Sequence, residues 1–195
     1  MFRLGETQEL TVAKIVDFGI YLIDGDDKEE RVLLPKKQVP ENTKIGDKIT
    51  VFIYKDSSDR LISTTKKPAL LIGGAPALLR VAQVNKMGAF LDWGLEKDLF
   101  LPYKQQTRKA REGEEVLVTL YIDKSERLCA TMNVYKNLRT DSPYKVGDDV
   151  SGVIYEDSDN YGMFVAVDNI YSAIIPKNEE YGSLVIGDQI RARVT

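Results

Sequence analysis

The sequence predicts an all-β chain of three tandem five-stranded barrels, the third incomplete at the C-terminus. Three observations predict it. One residue pattern is written three times, each copy alternates apolar and polar side chains with the period of a strand, and Gly, Asp and Ser interrupt the runs at short intervals.

The repeat is centred on the second strand of each copy. Val16-Asp17-Phe18-Gly19-Ile20-Tyr21-Leu22, Asn85-Lys86-Met87-Gly88-Ala89-Phe90-Leu91 and Asn160-Tyr161-Gly162-Met163-Phe164-Val165 share a large residue, then Gly, an apolar residue, an aromatic and an aliphatic. A glycine precedes each of these by 14 residues (Gly5, Gly74) or 15 (Gly147) and opens strand one. Strand three is Leu33-Leu34-Pro35, Phe100-Leu101-Pro102 and Ile174-Ile175-Pro176. Strand four follows Gly46-Asp47, Gly113-Glu114 and Gly187-Asp188, with apolar positions Ile49, Val51, Ile53; then Val116, Val118, Leu120, Ile122; then Ile190, Ala192, Val194. Asp56 and Asp123 end that strand, and Arg60 and Arg127 open the fifth. The second-strand glycine implies a bulge or sharp bend in that strand. The stretch from Gln105 to Arg111 is expected to form a short helical turn.

The resulting domains are residues 1–67, 68–137 and 138–195. Only eight residues follow Gly187, too few for a fifth strand, so the protein is expected to continue beyond Thr195. Leu70-Leu71-Ile72 in the first linker should pack between barrels, and Thr140-Asp141-Ser142-Pro143 in the second should be flexible.

Composition narrows the function. No run approaches the roughly 18 apolar residues of a spanning helix, and the N-terminus is not a secretory signal. One cysteine and no histidine exclude a disulfide framework within one chain and the usual zinc ligand sets, and favour a reducing cytoplasm. The commonest general base near neutral pH is absent. Gly73-Gly74 lacks the Gly-Lys-Ser/Thr of a phosphate loop, and no nucleophile elbow is present. No cofactor is expected and the chain does not read as an enzyme. The run Asp24 to Glu30 reads as a solvated hairpin tip, and Asp56 to Asp59 and Glu156 to Asp159 as turns. Net charge is −3, unevenly spread: residues 1–67 hold 12 basic and 12 acidic side chains, 68–137 hold 10 and 8, and 138–195 hold 5 and 10.

The order Gly, Phe-Gly-x-aromatic, Gly-Asp and Asp-x-x-x-Arg-Leu resembles the RNA-binding domain repeated in the largest small-subunit ribosomal protein. The tandem arrangement, with Leu-Phe-Leu-Pro-Tyr-Lys at 99–104, resembles the bacterial conserved virulence factor B family. The resemblance implies oligonucleotide/oligosaccharide-binding (OB) fold barrels, a role in regulating virulence genes, and a winged-helix domain after the barrels. Its binding face maps onto Phe18, Tyr21, Asp56 and Arg60 in copy one, Phe90, Asp123 and Arg127 in copy two, and Tyr161 and Phe164 in copy three. Met87 stands where an aromatic is usual, and Pro35, Pro102 and Pro176 where the family has His.

Alternation supports this mapping: with their neighbours facing the core, Tyr21, Phe90 and Phe164 face outward as stacking platforms. Lys14, Lys86, Arg60 and Arg127 would meet phosphates. Lys104, Arg108, Lys109 and Arg111 form a further basic cluster. The partner expected is single-stranded RNA, with single-stranded DNA equally able to stack, and the chain is expected to act as a monomer without a membrane. The competing readings stay open: outward aromatics packing on a neighbouring barrel, Asp56 and Arg60 pairing only to shape a turn, and a protein-interaction scaffold in which the acidic third copy docks on protein. Cys129 reads as an inert core residue.

Overall fold

The computed structural model describes residues 1–25, 29–179 and 182–195, so Asp26, Asp27 and Lys28 of the acidic run lie outside the described residues. Among the described residues, fourteen strands form three sheets. The first barrel is built from β1 (Thr7–Val16), β2 (Gly19–Ile23), β3 (Val32–Pro35), β4 (Lys48–Lys55) and β5 (Leu61–Thr64), closed in the order β1-β2-β3-β5-β4. The second repeats it with β6 (Ala77–Val84), β7 (Gly88–Asp92), β8 (Leu99–Pro102), β9 (Glu115–Ile122) and β10 (Leu128–Thr131). The third is an open four-stranded sheet of β11 (Asp149–Ser158), β12 (Gly162–Val167), β13 (Tyr171–Pro176) and β14 (Gln189–Arg193).

Alternation explains the cores. Leu10, Val12, Ile20, Leu22, Val32, Leu34, Val51 and Ile53 fill the first barrel. Their counterparts Leu79, Val81, Ala89, Leu91, Leu99, Leu101, Val116, Val118 and Leu120 fill the second. Ile122 departs from its expected inward position: it is exposed at the last position of β9, where it still pairs with Leu128 of β10. In the open third sheet Ile190, Ala192 and Val194 are only half-buried.

Two local expectations are corrected. The bulge lies in the first strand of each copy, between Val12 and Lys14, Val81 and Gln83, and Ile154 and Glu156. The second-strand glycine answers a different need: the third strand passes so close that a Cβ at Gly19, Gly88 or Gly162 would sit 2.2, 2.5 or 2.2 Å from a backbone carbonyl oxygen of that strand. The helical turn is Tyr103–Gln105, not 105–111, and it recurs at Lys36–Gln38 and Lys177–Glu179. Each turn starts directly after the proline that ends the third strand, whose fixed φ and missing N–H stop the ladder there. The stretch after Tyr103–Gln105 is irregular and held by Gln106, which donates to Leu101 O at 3.2 Å and accepts from Ala110 N at 3.0 Å.

The barrels are joined by packing. Phe52 and Tyr54 put the outer face of β4 against Trp93 and the linker residue Leu70, extending the second core into the first barrel. Phe52 and Trp93 meet edge to face at 5.8 Å. Leu70 is 1% exposed, and Ile72 bridges to Leu120 while donating to Gly5 O at 3.0 Å. Leu71, between them, is exposed. The second linker is tied down as well: Val134 and Leu138 are buried with Leu117, Val153, Tyr155 and Ala166, and Arg139 exchanges backbone hydrogen bonds with Ile170 and Ser172. Thr140 to Pro143 is exposed, with Arg139 and Asp141 forming an ion pair at 2.6 Å.

Candidate nucleic-acid interface

The register aligns one outward row across each sheet. In the first barrel the row is Lys14, Tyr21, Leu33 and Ile62. In the second it is Gln83, Phe90, Phe100 and Cys129. In the third it is Glu156, Phe164 and Ile174. The aromatic expected on strand two is therefore in the row every time, and the residue beside it, just past the bulge, changes from cation to neutral to anion.

A second large apolar side chain stands at the hairpin tip before each glycine, a ring in the first and third copies and a thioether in the second. Phe18 is 58% exposed, Met87 61% and Tyr161 66%. Phe18 and Tyr21 lie edge to face at 6.2 Å, leaving both accessible. Phe90 leans on Phe100 at 5.2 Å, so the platform of the second barrel is a pair of rings. Phe100 was not assigned to the site from the sequence; its place opposite Phe90 in the register is what would have found it. Phe164 is half-buried: its ring lies 6.1 Å from Tyr155 and packs on the cluster shared with the second barrel.

The two Asp-x-x-x-Arg turns share a backbone and differ in their ion pairs. Asp56 Oδ1 accepts from Ser58 N and Arg60 N, and Asp123 Oδ1 accepts from Ser125 N and Arg127 N, at 2.8 to 3.0 Å. Arg60 turns back to Asp56 at 2.9 Å, a local pair that shapes the turn. Burial pushes the Asp56 carboxyl up, but the N–H groups of Arg60 and Ser58 and the Arg60 guanidinium outweigh it and hold the carboxyl below its usual value. Arg127 instead reaches across to Asp59 of the first barrel at 2.6 Å.

Of the remaining predicted cations, Lys14, Lys86 and Lys104 are exposed, the first in the row, the second at the tip beside Met87, and the third in the turn after Pro102. Arg108 leaves the basic cluster: it pairs with Glu114 at 2.8 Å and lies against Gly187 of the third sheet. Cys129 is buried, and its thiol is pushed up to about 11, chiefly by burial and then by Asp123. Among the described residues no cluster of His, Cys, Asp or Glu is placed to hold a metal ion, and no helix is long and apolar enough to cross a membrane.

Closed five-stranded barrels in this strand order, bearing aromatics on the second strand, are OB-fold modules. The S1 domain model matches residues 4–66 and 74–133, most of the chain, and the protein belongs to the S1 domain family in tandem copies. Uncharacterized protein YitL of Bacillus subtilis (strain 168) is 27% identical over 202 residues, covering 98% of this chain and 66% of that protein, so this chain spans less than two thirds of that relative's length. A crystal structure of a multidomain protein with nucleic acid binding domains from Streptococcus pneumoniae TIGR4 has the same fold, with a TM-score of 0.64 at 19% identity over 97% of this chain and 68% of that one.

Proposed function

We propose that the protein is a non-enzymatic binder of single-stranded RNA, gripping it on the first and second barrels. The observation that carries this reading is the row itself: an outward aromatic at one lattice position in every copy, with Lys14 beside it in the first barrel, Gln83 in the second and Glu156 in the third. Each base stacked on such a ring is worth about 1–3 kcal/mol whatever its identity, and each phosphate contact adds salt-dependent affinity. Tyr21 with Phe18, and Phe90 with Phe100, supply the rings; Lys14 and Lys86 supply charge. Two weak sites on one chain gain through effective concentration. The membership of the S1 domain family and the nucleic-acid-binding domains named for the S. pneumoniae structure support the ligand class. The role that follows, by the resemblance in sequence, is control of gene expression at the RNA level in a bacterial cytoplasm, virulence genes included.

The third barrel has a different part in this reading. Its row begins with Glu156 and its ring is already packed, so it repels phosphate and suits a protein partner.

Fluorescence anisotropy of labelled single-stranded RNA and DNA at low and high salt tests the reading, with wild type and Tyr21→Ala/Phe90→Ala. Binding that weakens with salt and is lost in the double variant is expected. Absence of binding to either oligonucleotide at low salt would refute it.

A further inference from the structure

The β4–β5 hairpin of the first barrel is clasped by the second barrel at two points. Lys97 Nζ, from the loop before β8, donates to Asp56 O at 2.9 Å and reaches Lys55 O at 3.5 Å. Its own carbonyl accepts from Trp93 Nε1 at 2.7 Å, which anchors that loop to the core. Arg127 to Asp59 is the second clasp. Beside them lies a cleft of about 320 Å³, in the range of small-ligand sites. The second barrel lines it with Met87, Phe90, Phe100 and Trp93, and the first with Tyr54 and Ser57.

The charge of this lining is balanced: Lys55, Lys97 and Arg127 stand against Asp59, Asp98 and Asp123. A cavity of rings, a thioether and equal numbers of cations and carboxylates does not attract a phosphate. It suits a flat, neutral group with polar edges, which meets rings on its faces and carboxylate acceptors with its amino groups. An unpaired nucleobase has that chemistry. Its backbone would lie at the rim, where Asp59 now neutralises Arg127.

We propose that the cleft between the first and second barrels is a pocket for one unpaired nucleobase, built jointly by both barrels, in which Asp59 holds Arg127 until an RNA phosphate displaces it. This rests on the RNA-binding reading and adds to it that the first barrel's hairpin is a wall of the second barrel's site. The contrast between the two turns supports it. Arg60 and Arg127 follow the same Asp-turn, and only Arg127 is held by an acid from the neighbouring barrel.

Trp93 is the sole tryptophan and lines the cleft, so its fluorescence reports occupancy. A short single-stranded oligocytidylate is titrated while Trp93 emission and the anisotropy of a label on the oligonucleotide are both followed. Quenching with the same midpoint as the anisotropy is expected. Asp59→Asn should bind about fivefold tighter, since the acid that competes with phosphate is gone. Ser57→Leu fills the cleft from the exposed hairpin, changes no ring itself and leaves the Phe18–Tyr21 platform of the first barrel open; it should weaken binding about tenfold with an unchanged melting temperature. Anisotropy that shows binding while Trp93 stays silent and both variants match wild type would overturn the pocket and leave RNA binding by the open faces standing. Absence of binding by anisotropy would overturn both.

Discussion

Leu70→Ala is the most informative perturbation of the joint between the first two barrels. Leu70 lies in the linker, 1% exposed, between Phe52 and Tyr54 of one barrel and the core of the next. Truncation removes three carbons from a fully buried site, worth about 0.8 kcal/mol each by transfer, and leaves a cavity, so the loss is about 3 kcal/mol. For a cooperative unit of two barrels that corresponds to about a 10 °C fall in melting temperature. Because the residue belongs to neither barrel's own sheet, the loss falls on the coupling between them. Wild type should show one calorimetric transition for barrels one and two, and Leu70→Ala two, with the near-ultraviolet signal of Trp93 changing in the second. A single transition displaced by less than about 2 °C would show that Leu70 carries none of the coupling and is passive contact.

Other expectations follow from the same contacts. Gly88→Ala forces a methyl to within 2.5 Å of Leu101 O and should cost about 1–3 kcal/mol or more in urea unfolding, where Gly113→Ala, with open space around its Cβ position, strains only the local backbone. Asp56 is held below its unfolded value, so its stabilising contribution is complete above about pH 4 and lost as pH falls through the folded value; Asp56→Asn should flatten acid unfolding in that window relative to wild type. Cys129, with its thiol raised to about 11 and its side chain buried, should resist alkylation at mildly alkaline pH until urea unfolds the second barrel, and rapid labelling of the native chain would contradict its placement. Lys14→Glu gives the first barrel's row the charge of the third's and should weaken RNA binding and flatten its salt dependence by about one phosphate contact, read from the slope of affinity against salt.

What the sequence by itself determined is what local spacing controls. Period-two alternation decides which residues of β2 and β7 face inward, so the outward placement of Tyr21 and Phe90 was legible at once, as were the barrel cores and the glycine at each strand-two start. The reason for that glycine was not, because the carbonyl it yields to belongs to another strand. The tertiary structure alone decided the partners of residues whose local surroundings are identical. Arg60 and Arg127 leave equivalent turns, yet one folds back on Asp56 and the other crosses to Asp59. Phe90 and Phe164 hold the same lattice position, yet one leans on Phe100 and lines the cleft against the first barrel while the other packs beside Tyr155. These outcomes depend on how one barrel lies on the next, which is set by Leu70, Phe52 and Trp93 in one joint and by Val134, Leu138 and Tyr155 in the other. Such contacts join residues far apart in the chain and have no period, so nothing in the repeat distinguishes a ring that meets solvent from one that meets a neighbour.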